Sequence, residues 1–299
     1  LQDAGVINGL AAWLGLGERI EGLDRQLKKQ NPEPFEDKVS NFAAMDAALA
    51  ALDRFNLSRT PNFEPRRGPA IPSYAASKGA PLLYQPLKGA QDDDIRAWLA
   101  GLGGGSGHEE GLTQKTLRQW LRKNDGHRSF TVLAHPVARA YSAFCRHILA
   151  VGPGNFGEIR ESLRKNFAVP LPKGAPDQTY DSAAHRAAFL AFLKFLKANF
   201  GGQTGIRVDP SWATQTALIQ GFASFGSPDV ILRRGNVAEG LNFISRELDM
   251  DFEPLDEQGD PEDIRLRSIY DAEIEAAARD AYQRDYISFG FDNWDGQAA

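Results

Sequence analysis

Apolar residues follow two rhythms along the chain. Up to about residue 57 they recur every three or four positions: Val6, Leu10, Trp13 and Leu14, then Ile20, Leu23 and Leu27, then Phe42, Met45, Leu49 and Leu52. That spacing puts them on one face of a helix and predicts helices over 3–15, 18–29 and 34–54. Asn31-Pro32-Glu33-Pro34 breaks the run between the last two. Residues 58–79 are rich in Pro, Arg, Gly and Ser, which predicts a linker or a surface-hugging segment without regular structure.

From residue 80 onward, short apolar runs alternate with helical patterns. Strands are predicted at 81–84, 129–133 and 229–232. Helices are predicted at 91–101, 113–123, 137–149, 155–166, 180–198, 212–225, 236–248 and 270–286, with a glycine-rich loop at 103–107. Such alternation predicts a layered α/β fold with a mostly parallel sheet. The chain of 299 residues then divides into an all-helical segment over 1–57, a linker over 58–79 and an α/β domain over 80–299. No repeat of solenoid period is present.

Composition narrows the function classes. Hydrophobic residues make up 42% and charged residues 24%, as in a globular protein. The net charge of −5 disfavours a protein that coats nucleic acid. Cys145 is the single cysteine, which excludes a disulfide framework and a cysteine-rich zinc site. The longest uncharged stretch, from Pro210 to Pro228, carries too many Ser, Thr and Gln residues for a membrane span. No signal-peptide pattern opens the sequence. A cytoplasmic protein is therefore expected. Because the first residue is Leu1, the chain is expected to be the downstream part of a longer one.

In parallel α/β sheets, ligands bind where strands end and helices begin. At one such crossing the strand ends at Leu133, Pro136 starts a helix, and Arg139 and Ser142 share a face of its first turns. A guanidinium and a hydroxyl beside a helix N-terminus suit a phosphate. The same residues also fit a helix with a surface arginine and an incidental serine. At the other crossing, Lys88 and Gly89 offer a cation and a turn that lets the backbone close on an anion. Asp92, Asp93 and Asp94 follow at the helix start. They favour the helix through its dipole and would repel an incoming anion. The five histidines, at 108, 127, 135, 147 and 185, form no metal-spaced pair. His135 lies at the phosphate candidate, and His185 is either a base on a helix or an exposed position. Neither a G-x-S-x-G elbow nor a G-x-x-x-x-G-K-[ST] loop occurs.

His135, Pro136, Arg139, Ser142, Ala143 and Phe144 resemble the 3′-phosphate-binding element of sulfotransferases that use 3′-phosphoadenosine 5′-phosphosulfate (PAPS). Ala134 stands where that family carries its leading arginine. Ser211-Trp212-Ala213-Thr214-Gln215 is similar to the family's His-Trp-x-x-Gln, with Ser211 in the place of histidine. Tyr282, Asp285, Phe289, Gly290 and Phe291 resemble its ending. Lys88 and Gly89 match its 5′-phosphosulfate loop in kind, although no Ser or Thr follows. Residues 10–16, 28–32 and 38–42 look like the tail of a second bacterial sulfotransferase domain, of the nodulation or lipopolysaccharide type.

The resemblance implies a three-layer α/β fold of the P-loop type, with PAPS as co-substrate and no metal. It implies transfer of a sulfuryl group to a hydroxyl of a carbohydrate or glycolipid. Lys88 would face the sulfuryl group, with Gly89, His135, Arg139 and Ser142 around the nucleotide. The alternative is a sulfotransferase-like domain without catalysis, serving an upstream sulfotransferase domain as structural or acceptor-binding partner. Ala134, Ser211 and Asp92–Asp94 favour that alternative.

Overall fold

The computed structural model describes residues 4–22, 35–50, 69–71, 73–89, 92–105, 107–223, 225–255 and 261–296. Contacts divide the chain into two units, Leu1–Glu64 and Pro65–Ala299. The first holds α1 (Ala4–Trp13), α2 (Phe35–Lys38) and α3 (Phe42–Ala50). The helix expected over 18–29 does not begin where the pattern put it, because residues 16–22 are not helical. Asn8 clasps the backbone of Ile20 instead: its Nδ2 donates to the carbonyl and its Oδ1 accepts from the N–H, both at 2.9 Å. A side-chain amide can outcompete a helix for backbone groups in this way. Residues 23–29 and 51–54 of the expected helices lie outside the described residues.

In the second unit, β1 (Ala75–Ser77) and β2 (Leu82–Tyr84) precede α4 (Asp93–Gly105), β3 (His108–Glu109) and α5 (Gln114–Lys123). Then come β4 (Arg128–Leu133), α6 (Pro136–Ala143), a π-helix over Phe144–Leu149, α7 (Gly157–Asn166), α8 (Ser182–Phe200) and α9 (Gln215–Phe222). The unit closes with β5 (Val230–Arg233), α10 (Val237–Glu247), α11 (Pro261–Arg267), α12 (Ala272–Ala281) and α13 (Gln283–Phe289). The strands form one five-stranded sheet in the order β3-β1-β2-β4-β5.

Side chains alternate across the sheet, as the pleat requires. Leu82, Tyr84, Phe130 and Val132 face one core with Trp98 and Leu99 of α4 and Leu241 and Ile244 of α10. Leu83 and Leu133 face the other, which gathers Phe144, Phe189, Phe192, Trp212 and Tyr282. A sheet with a helical core on each face is a mixed α/β architecture. No helix among the described residues is long and apolar enough to cross a membrane.

Three expectations change. The sheet is parallel only in part: β2, β4 and β5 run parallel, whereas β1 pairs antiparallel with both β2 and β3. Residues 75–77, expected in the linker, form β1, whose small side chains are all buried in the sheet. The helix expected over 137–149 changes pitch at Phe144 and finishes as a π-helix. The regular part of α4 ends where the sequence places its glycine loop. Gly103 takes φ of +64°, and a Cβ there would lie 2.5 Å from the Cα of Gly79. Only paired glycines allow that approach.

Candidate functional site

Because β2, β4 and β5 are parallel, their carboxyl ends lie side by side, and three loops leave them on one edge. Residues 85–89 lead to α4, Ala134 and His135 lead to α6, and 234–236 lead to α10. The ladder continues into these loops. Gln85 N–H donates to the Phe130 carbonyl at 2.8 Å, Thr131 Oγ1 donates to the Gln85 carbonyl at 2.7 Å, and Arg234 N–H donates to the Leu133 carbonyl at 2.8 Å.

Arg139 projects from α6 but does not face an open phosphate site. Its side chain is 1% exposed. Nε donates to the Lys88 carbonyl at 3.0 Å, Nη2 to the carbonyls of Lys88 at 2.5 Å and Pro210 at 2.8 Å, and Nη1 to that of Ala213. Four of the five guanidinium donors are thereby spent on backbone. Burial pulls its pKa down, opposed by Tyr282, Asp285 and Asp209. Arg139 is a clamp that ties the loop after β2 to the turn at 210–213. The guanidinium expected at a phosphate is thus bonded to backbone carbonyls.

His135 is also taken up by the protein. It caps α6, its Nδ1 accepting from Val137 N–H at 3.3 Å, which leaves Nε2 to donate to the Asp292 carbonyl at 3.0 Å. Its ring meets Tyr286 and Phe291 edge-on, and burial lowers its pKa. Ser142 is buried, and its hydroxyl has no hydrogen-bond partner among the described residues. Gly89 has φ of +93°, and a Cβ on it would lie 1.9 Å from the Ser211 carbonyl oxygen. This glycine serves a close approach between two backbone segments. Lys88 differs from the others. Its side chain is exposed, and among the described residues its ammonium has no partner.

The acidic first turn of α4 is engaged from within. Asp94 forms a buried pair with Arg234, both carboxylate oxygens receiving guanidinium nitrogens at 2.9 Å. Asp94 also caps its own helix by accepting from Ile95 N–H at 2.8 Å. Asp92 pairs with Arg96 at 2.9 Å. Burial raises the Asp92 pKa despite that arginine. A helix N-terminus that already holds a carboxylate and its counter-ion offers an anion little attraction.

Residues 211–215 and 282–285 supply supports near the same edge. Gln215 clasps the peptide groups of Ala134, accepting from its N–H at 3.0 Å and donating to its carbonyl at 2.9 Å. Asp285 caps α9 by accepting from Gln215 N–H, Thr216 N–H and Thr216 Oγ1 at 2.8, 2.9 and 2.7 Å. Tyr282 donates to the Trp212 carbonyl at 2.7 Å. Ser211 donates from Oγ to Asp209 at 2.6 Å.

Sequence reasoning passed over His147 and Asp209. His147 lies in the π-helix, a form that often marks functional positions. Its ring stacks on Phe156 at 4.9 Å. Burial lowers its pKa; Asp209 pulls the other way, and Lys88 and Arg146 add to the lowering. Lys88 and Asp209 come from separate segments, and both act on His147 electrostatically. A π-helix within an unbroken helical pattern left no mark in the periodicity. Among the described residues, His, Cys, Asp and Glu side chains nowhere gather in the number that a metal site needs. No family model, no curated protein and no solved structure matches this chain.

Proposed function

We propose that the α/β unit is a sulfotransferase-like domain of P-loop type without catalytic activity, acting as structural or acceptor-binding partner of a catalytic sulfotransferase domain. The resemblance motifs support the family, and their side chains meet on one sheet edge. The observation that carries the non-catalytic reading is the Asp94–Arg234 pair, which fills the first turn of α4, where a nucleotide phosphate would need open N–H groups. The neighbouring residues do not fit PAPS either. Ala134 supplies no cation, Arg139 is bound to carbonyls, and His135 is bonded through both ring nitrogens.

Calorimetric titration of the protein with 3′,5′-ADP, the desulfated product of PAPS, tests the reading. It predicts no binding tighter than about 1 mM. A micromolar dissociation constant would overturn it in favour of a second reading, a working sulfotransferase. The exposed Lys88, poised at the end of β2 to face a sulfuryl group, favours that second reading.

A further inference from the structure

We propose that the cavity between α7 and residues 206–210 binds a neutral sugar ring, with Lys88 and His147 beside it as hydrogen-bonding groups. The proposal rests on the reading of this unit as an acceptor-binding partner and names the binding site.

The cavity measures about 390 Å³ and is open on one side. That volume falls within the range of small-molecule sites, roughly 300–1,000 Å³. Ile159, Ile206 and Val208 supply an apolar wall, and Glu158, Arg207 and Asp209 supply polar groups around it. Among the described residues, no ion pair ties these three charged side chains to one another or to a neighbour. A polyanion would meet two carboxylates, and a cation would meet Arg207 and Lys88. A ring with one apolar face and a hydroxyl edge meets the wall with the first and finds both donors and acceptors with the second.

The walls are fixed before any ligand arrives. Asn199 Nδ2 donates to the Ile206 carbonyl at 2.7 Å, and Asn199 Oδ1 accepts from Trp212 Nε1 at 3.2 Å. Asp209 is held by Ser211, and the Pro210 carbonyl is held by Arg139. The opposite wall is anchored by Arg160 of α7, whose Nη2 donates to the carbonyls of Pro172 at 2.6 Å and Gly174 at 2.8 Å. Phe156, the N-cap residue of α7, stacks on His147. Arg139 Nη2 bonds both Lys88 and Pro210. Lys88 and His147 are not among the lining residues, but these contacts place Lys88 next to Pro210 and His147 next to the start of α7, at the border of the cavity. A preorganised site of this kind loses little entropy on binding.

The test is calorimetric titration of the full chain with cellotriose, maltotriose and chitotriose. At least one trisaccharide is expected to bind with a dissociation constant between about 10 µM and 1 mM. Ser162 lines the cavity, so Ser162→Trp fills it and abolishes binding. Arg207→Ala, Lys88→Ala and His147→Gln each weaken binding at least about fivefold, whereas Lys115→Ala on α5 leaves it unchanged. Melting curves check that the variants fold, and Arg207→Ala carries the test if Ser162→Trp does not. Failure of all three sugars to bind, or binding undiminished in the folded variants, overturns the proposal. Titration with 3′,5′-ADP is separate. Micromolar nucleotide binding defeats the non-catalytic reading while the sugar result stands alone, and absent sugar binding leaves the nucleotide result intact.

Discussion

Two regions meet at the carboxyl edge of the sheet, and they treat their polar groups in opposite ways. Around the crossings from β4 to α6 and from β5 to α10, Arg139, His135, Asp94 and Arg234 are bonded inward, to carbonyls, N–H groups or each other. Around Lys88, His147 and Arg207, no side-chain hydrogen bond within the described residues uses the polar groups. Buried polar groups must be satisfied by the protein, by water or by a ligand. The first region is satisfied by the protein and works as scaffold. The side chains of the second are exposed or half-buried and open to solvent.

The largest expected effect comes from breaking the inward side. Arg139→Met deprives the carbonyls of Lys88, Pro210 and Ala213 of their guanidinium donors. It should cost about 3 kcal/mol or more in urea unfolding. A loss below about 1 kcal/mol would show that Arg139 is not the clamp described.

A second, intermediate effect concerns a buried histidine on the scaffold side. His185 is buried against Tyr141, whose hydroxyl lies 2.7 Å from Nε2, and burial with the nearby Arg265 pulls its pKa to about 4. The folded state therefore refuses a proton that the unfolded state accepts near pH 6.5. The stability linked to His185 is complete above pH 6.5 and is lost as pH falls from 6.5 toward 4, by about 2–3 kcal/mol. His185→Phe should flatten that part of the profile relative to the wild type. Profiles that stay parallel would remove His185 as the cause.

The smallest effect belongs to the outward side. Lys88→Ala should change unfolding stability by less than about 0.5 kcal/mol, because its side chain is exposed and supports nothing inside the protein. A larger loss would make Lys88 part of the scaffold and erase the contrast.

The sequence made part of this arrangement legible. The strands expected at 81–84, 129–133 and 229–232 announced the three parallel strands, and Pro136 announced the start of α6. β1 was hidden, because Ala75-Ala76-Ser77 lacks the large alternating side chains that mark a strand and lies among prolines and glycines. Arg139 was visible as a residue but not as a clamp, since its carbonyl partners lie 51, 71 and 74 positions away. The same holds for Asp94 and Arg234, which are 140 positions apart. Local spacing carries no trace of such pairs. It gave Asp92–Asp94 as three negative charges, where the fold pairs Asp92 and Asp94 with arginines.

The central claim is that the inward side excludes a nucleotide because two positions close it. Calorimetry with 3′,5′-ADP on the wild type beside an Ala134→Arg, Asp94→Ser double variant tests this most directly. Asp94→Ser removes a carboxylate from the first turn of α4, and Ala134→Arg adds a cation beside it. The account predicts no measurable binding by the wild type and binding below about 1 mM by the variant. Wild-type binding as tight as that of the variant would contradict it.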